Sequence, residues 1–123
     1  MKKILFLLIA LIGFKFTNAQ FANTSWKGLY KVPDPTEMIL QFKTDTLLLN
    51  DPENETVVET MNYSISGDTL VFTKLNGSSS CGEEKGVYKL AIKDNKLFMT
   101  VIDDPCYDRV AAMPDEALMK VED

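Results

Sequence analysis

VYKLAIKDNKLFMTV, residues 87–101, alternates apolar and polar side chains on both sides of Asp94 and Asn95. Alternation with period two marks a strand that buries one face, and two Asp/Asn residues between such runs mark a tight hairpin. Folding the stretch about Asp94 and Asn95 sets Ile92 against Leu97, Leu90 against Met99 and Tyr88 against Val101. Lys89 and Lys93 fall on the opposite face. A slip of one residue would exchange the two faces, so the pattern also fixes the register.

The same construction works twice more, upstream. In MILQFKTDTLLLN (38–50), a turn at Thr44 and Asp45 pairs Phe42 with Leu47 and Leu40 with Leu49. In MNYSISGDTLVF (61–72), a turn at Gly67 and Asp68 pairs Ile65 with Leu70 and Tyr63 with Phe72. A further strand, Trp26 to Val32, carries Trp26, Gly28, Tyr30 and Val32 on one side. These make seven strands, and a last element around Ala117 to Val121 makes an eighth if it is a strand rather than a short helix. Short hairpins in series predict an all-β, up-and-down antiparallel meander that closes into a small barrel, since closure removes exposed edges. Its expected interior, or the lining of a ligand site, is Leu40, Phe42, Tyr63, Ile65, Leu70, Phe72, Tyr88, Leu90, Met99 and Val101.

The opening MKKILFLLIALIGFKFTNAQ has Lys2 and Lys3, an apolar run from Ile4 to Phe14, and small residues at Thr17 and Ala19. That is the pattern of a signal peptide over 1–19, cleaved after Ala19, with a single domain over 20–123 exported to the periplasm or secreted. The apolar run is shorter than the ~20 residues of a membrane-spanning helix, and no cysteine follows to carry lipid. No membrane association is expected of the mature form. Lys2, Lys3 and Lys15 leave with the leader, so thirteen basic residues fall to ten against eighteen acidic ones, a net charge of about −8. Such a surface repels nucleic acid and anionic lipid.

Trp26-x-Gly28-x-Tyr30, the turn Gly67-Asp68-Thr69-Leu70, Cys81 followed by Gly86-x-Tyr88, and Cys106-x-x-Arg109 occur in this order along the chain. With these the sequence resembles the lipocalin-like (calycin) small barrels of exported bacterial proteins over Trp26 to Arg109. The resemblance implies that Trp26 closes one end of the barrel and that Arg109 lies across it. The glycine here follows the tryptophan, where true lipocalins place it before, and the chain is much shorter, so less room for a ligand is expected.

Cys81 and Cys106 are the two cysteines. Extending the third hairpin outward from its turn sets Cys106 opposite Glu83, two residues from Cys81, and in an exported chain a disulfide is expected. Around Cys106 the run DDPCYDR (103–109) ends a strand at Pro105, so Asp103 and Asp104 are expected to be solvated. A calcium site is the alternative for the two carboxylates, but their spacing fits no loop that wraps the ion. Arg109 has two candidate roles: a guanidinium packed on the Trp26 indole, or a surface ion partner of Asp108 or Asp104.

The chain has no histidine, so Ser-His-Asp, Cys-His and histidine-metal arrangements cannot be built. Ser78 to Ser80 lie in a Gly/Ser-rich loop, where Lys85 is the one nearby candidate base. No catalytic residue, metal or cofactor is expected, and the protein is not read as an enzyme. Two functions are consistent with these features. One is a carrier that holds a small apolar or mixed ligand in the barrel mouth. The other is a protein-binding module, such as a protease inhibitor, using FANTS (21–25) or NDPENE (50–55) against an exported protein. Oligomeric state is left open.

Overall fold

A computed structural model describes residues 15–122. Residues 1–14 of the expected leader lie outside the described residues. Lys15 to Ala19 are described, and they touch the barrel: the Phe16 backbone N–H donates to the Gly67 carbonyl at 2.6 Å.

Eight antiparallel strands run in sequence order around a closed barrel: β1 Thr24–Lys31, β2 Pro35–Phe42, β3 Thr46–Asp51, β4 Thr56–Ser66, β5 Thr69–Gly77, β6 Gly86–Lys93, β7 Lys96–Asp103 and β8 Leu118–Lys120. Two short helices accompany them, α1 at Asn18–Phe21 and α2 at Tyr107–Ala112. The segment after Pro114 is thus a strand and not a helix. Although only three residues long, β8 closes the sheet by pairing Trp26 with Lys120 on one side and Leu97 with Leu118 on the other.

All three hairpins have the register that alternation dictates: Phe42 opposite Leu47, Ile65 opposite Leu70, and Leu90 opposite Met99. Asp94 and Asn95 both take positive φ, 54° and 62°, the left-handed pair that turns two strands with their natural twist. Gly67 supplies the same conformation in the second hairpin, with φ 65°.

Leu40, Phe42, Tyr63, Ile65, Leu70, Phe72, Tyr88 and Leu90 are buried in one core, with Met99 packed against it in part. Val101 departs from the expected interior. It stands opposite Tyr88, yet 44% of it is exposed. The cause lies in the length of β8, which pairs with β7 only at Lys96 and Leu97. Beyond that point β7 has no strand on its outer side, so an inward register position is left uncovered.

The barrel has a packed end and a mouth. At the packed end α1 seats Phe21 against Phe42, Trp26 and Phe16, with ring centroids 4.9, 6.4 and 5.4 Å away. Asn18 in α1 accepts the Ile65 backbone N–H at 2.7 Å, fixing the helix to β4. Of FANTS, Phe21 is buried in the core, Asn23 is exposed and the other three residues are half-buried, so the segment is less exposed than expected. Within NDPENE, Pro52 to Glu55 are exposed while Asn50 and Asp51 are the half-buried end of β3, and Asp51 ties the turn by accepting the backbone N–H groups of Glu53 and Asn54.

Candidate functional site

At the mouth, the loop before β6 and the helix after β7 are joined by a disulfide between Cys81 and Cys106, with Cα atoms 5.6 Å apart. The cysteine sulfurs also lie near the Glu84 carboxylate. Joined to each other, they are not available as thiolate ligands for a metal.

Cys106 is the residue from which α2 starts, and one turn later the helix places Arg109 inward. The guanidinium does not reach Trp26. Its carbon sits 4.9 Å from the centroid of the Phe72 ring, and the indole lies at the far end of the barrel with its Nε1–H on the Thr24 hydroxyl at 3.0 Å. The expectation of an Arg109–Trp26 stack is therefore corrected. The reason is topological: α2 follows the mouth end of β7, whereas Trp26 lies near the start of β1, against Phe21 of α1.

The ion-pair alternative named the right partner in the wrong setting. Arg109 donates from Nε and Nη2 to the two Asp104 oxygens, each at 2.7 Å, with side chains 9% and 0% exposed. Asp104 also accepts the Tyr88 hydroxyl at 2.6 Å and the Cys106 backbone N–H at 3.0 Å. It is thus a buried hub and not a solvated residue at a strand end. Arg109 Nη2 donates further to the Glu84 carbonyl at 2.9 Å. Tyr88 and Phe72 stack with centroids 5.2 Å apart. Gly86, opposite Phe72 in the sheet, makes this possible, because a Cβ there would collide with both rings.

Burial pushes the Asp104 carboxyl upward, but the hydrogen bonds from Arg109, Tyr88 and Cys106 outweigh it and hold it below its ordinary value. Burial and the adjacent Asp104 charge raise the Tyr88 hydroxyl. For Arg109, burial opposes the charge, but the bonds and charge of Asp104 prevail and raise it. Each member is therefore locked in one protonation state through neutral pH.

Inside this girdle lies a cleft of about 660 Å³. Met38, Leu40, Leu47, Met61, Phe72 and Met99 form its apolar wall, and Arg109 with Ala111 to Met113 of α2 borders it on the mouth side. Three of the expected interior residues, Leu40, Phe72 and Met99, line it, whereas Phe42, Tyr63, Ile65, Leu70, Tyr88 and Leu90 belong to the solid core. Glu59 and Tyr30, neither singled out from sequence as site residues, line it too. Glu59 is buried and accepts the Ser79 backbone N–H at 3.3 Å and the Ser79 hydroxyl. The Ser78–Ser80 loop thus wraps a carboxylate through Ser79. A carboxylate in the inward run of β4 was the available signal. Tyr30 was legible as inward from its alternation with Trp26 and Gly28.

No family model, curated protein or solved structure matched the chain when it was compared with each.

Proposed function

We propose that the protein is an exported, lipocalin-like carrier that binds one small apolar or mixed ligand in the mouth of its barrel, without catalysing a reaction on it. The observation that carries this reading is the cleft of about 660 Å³, walled by methionine and leucine side chains with few polar groups. Its volume falls in the ~300–1,000 Å³ range of small-molecule sites, which are mostly apolar with a few placed polar groups. Methionine suits a pocket that adapts to its guest, being unbranched and polarizable. The disulfide and the buried ion pair brace the rim, so the cleft is largely formed before a ligand arrives and less ordering entropy is lost on binding. A disulfide belongs with an oxidising compartment, in keeping with export through the leader.

The test is mass spectrometry of organic extracts from the purified protein. A retained apolar compound, present in stoichiometric amount and absent from buffer, supports the carrier. An extract identical to buffer, with no uptake of the hydrophobic fluorophore N-phenylnaphthylamine, transfers the function to protein binding through the Asn50–Glu55 loop.

A further inference from the structure

Two residues that line the cleft each carry a buried polar atom with no hydrogen-bond partner among the described residues: Nη1 of Arg109 and the Tyr30 hydroxyl. Both residues line the cleft, with 9% and 3% of their surfaces exposed. Buried donors are nearly always satisfied, because an unmet one carries its full desolvation cost. An acceptor on a bound molecule would meet them.

The charges around the cleft limit what that acceptor can be. The Arg109 charge is already taken by Asp104 through two bonds of 2.7 Å. Lys31 is engaged by Asp115 at 2.8 Å. The remaining ionisable groups of the lining are Glu59 and Asp108, each bonded to a serine hydroxyl and neither paired with a cation among the described residues. Within the lining Lys31 and Arg109 balance Glu59 and Asp108, and the partners Asp104 and Asp115 behind them tip the surroundings negative, which disfavours a carboxylate. An ammonium could approach Glu59, but it would leave both unmet donors without an acceptor.

We infer that the ligand is an uncharged amphiphile, an apolar body ending in a hydrogen-bond acceptor such as an ester or ketone carbonyl, held by Arg109 Nη1 and the Tyr30 hydroxyl. This rests on the reading of the cleft as a ligand site and specifies its chemistry. The Met38, Leu40, Leu47, Met61 and Met99 side chains take the apolar body. Specificity comes from the head, because a site built to hydrogen-bond a carbonyl leaves its donors unpaired with a hydrocarbon.

The experiment is displacement of bound N-phenylnaphthylamine by four compounds of equal chain length, methyl laurate, laurate, dodecylammonium and dodecane, the two ionic ones used below their micelle concentrations and the two uncharged ones below their aqueous solubility. Methyl laurate should displace the fluorophore at the lowest concentration. Tyr30→Phe should weaken methyl laurate by about three- to tenfold, the worth of one hydrogen bond, and leave dodecane unchanged. Because the Tyr30 hydroxyl has no protein partner, that variant should melt with the wild type, which keeps the binding result readable. Tighter binding of laurate or dodecylammonium than of the ester overturns the inference while the carrier reading survives, as does equal binding of ester and dodecane. Failure of the fluorophore and all four compounds to bind overturns the carrier reading as well.

Discussion

The two ends of the barrel are held by different physics. The packed end is an aromatic cluster, Phe21, Trp26, Phe42 and Tyr63, all of it within residues 20–123. The mouth is held by a covalent bond and a charge-assisted network, Cys81–Cys106 and Tyr88–Asp104–Arg109. Apolar packing fills space, so it suits the end that is solid. Directional bonds hold a rim without filling it, so they suit the end that stays open. The difference teaches why the polar cluster is buried beside the cleft: a rim of large apolar side chains would collapse into the space it borders.

The strongest test of this division is removal of a fully buried ring at the packed end. Phe42→Ala should cost about 3–5 kcal/mol in chemical denaturation, whereas Val101→Ala, on the uncovered half of β7, should cost less than about 1. Equal losses would show that Val101 is core after all and that the mouth is packed like the other end.

Next in size is the disulfide, which closes a loop across 25 residues. Its replacement by Cys81→Ser with Cys106→Ser should lower stability by roughly 3–4 kcal/mol on the chain-entropy view. Alkylation of the unreduced, denatured wild type should add no mass, and two adducts would remove this brace from the comparison.

Arg109→Lys separates the ends most directly. Lysine cannot reproduce the two-bond contact with Asp104 or the flat approach to Phe72, so a loss of roughly 1–3 kcal/mol is expected. Trp26 emission in the folded state should stay at the wild-type wavelength, because the indole packs on Phe21 at the far end. A shifted emission would mean that the ends communicate, or that Arg109 reaches Trp26.

The smallest effect concerns acid. The Asp104 carboxyl is held below its ordinary value in the folded protein, so its contribution is complete above the unfolded-state value of about 3.9. It is lost as pH falls through the lower folded-state value. Thermal melts of wild type and Asp104→Asn should therefore converge as pH falls through the acid range. A constant gap at every pH would show that the Asp104 charge contributes nothing to the rim.

Much of this architecture was legible in the chain. The hairpin about Asp94 and Asn95 declared its turn, its faces and its register within fifteen residues, because alternation and turn chemistry are local properties of neighbouring side chains. The disulfide was expected from continuing that register to Cys106, and it is present, although the ladder shifts by one residue at Val87 and β7 ends at Asp103 before either cysteine is reached. The surroundings of Arg109 did not follow. Its place depends on where the chain goes after Pro105, and a helix there turns the guanidinium onto Phe72, far away in sequence and at the opposite end from Trp26. Asp104 looked solvated for the same reason, since the Tyr88 and Arg109 side chains that bury it are brought together only when the barrel closes. Sequence alone thus determined the three hairpins and their pairing, each set by residues adjacent along the chain or across one turn, and the presence of only two cysteines pointed to the staple. Only the tertiary structure decided which end is solid, which inward residues line a cleft and which donors are left unmet there, because those depend on the length of β8 and the course of α2, which no local pattern encodes.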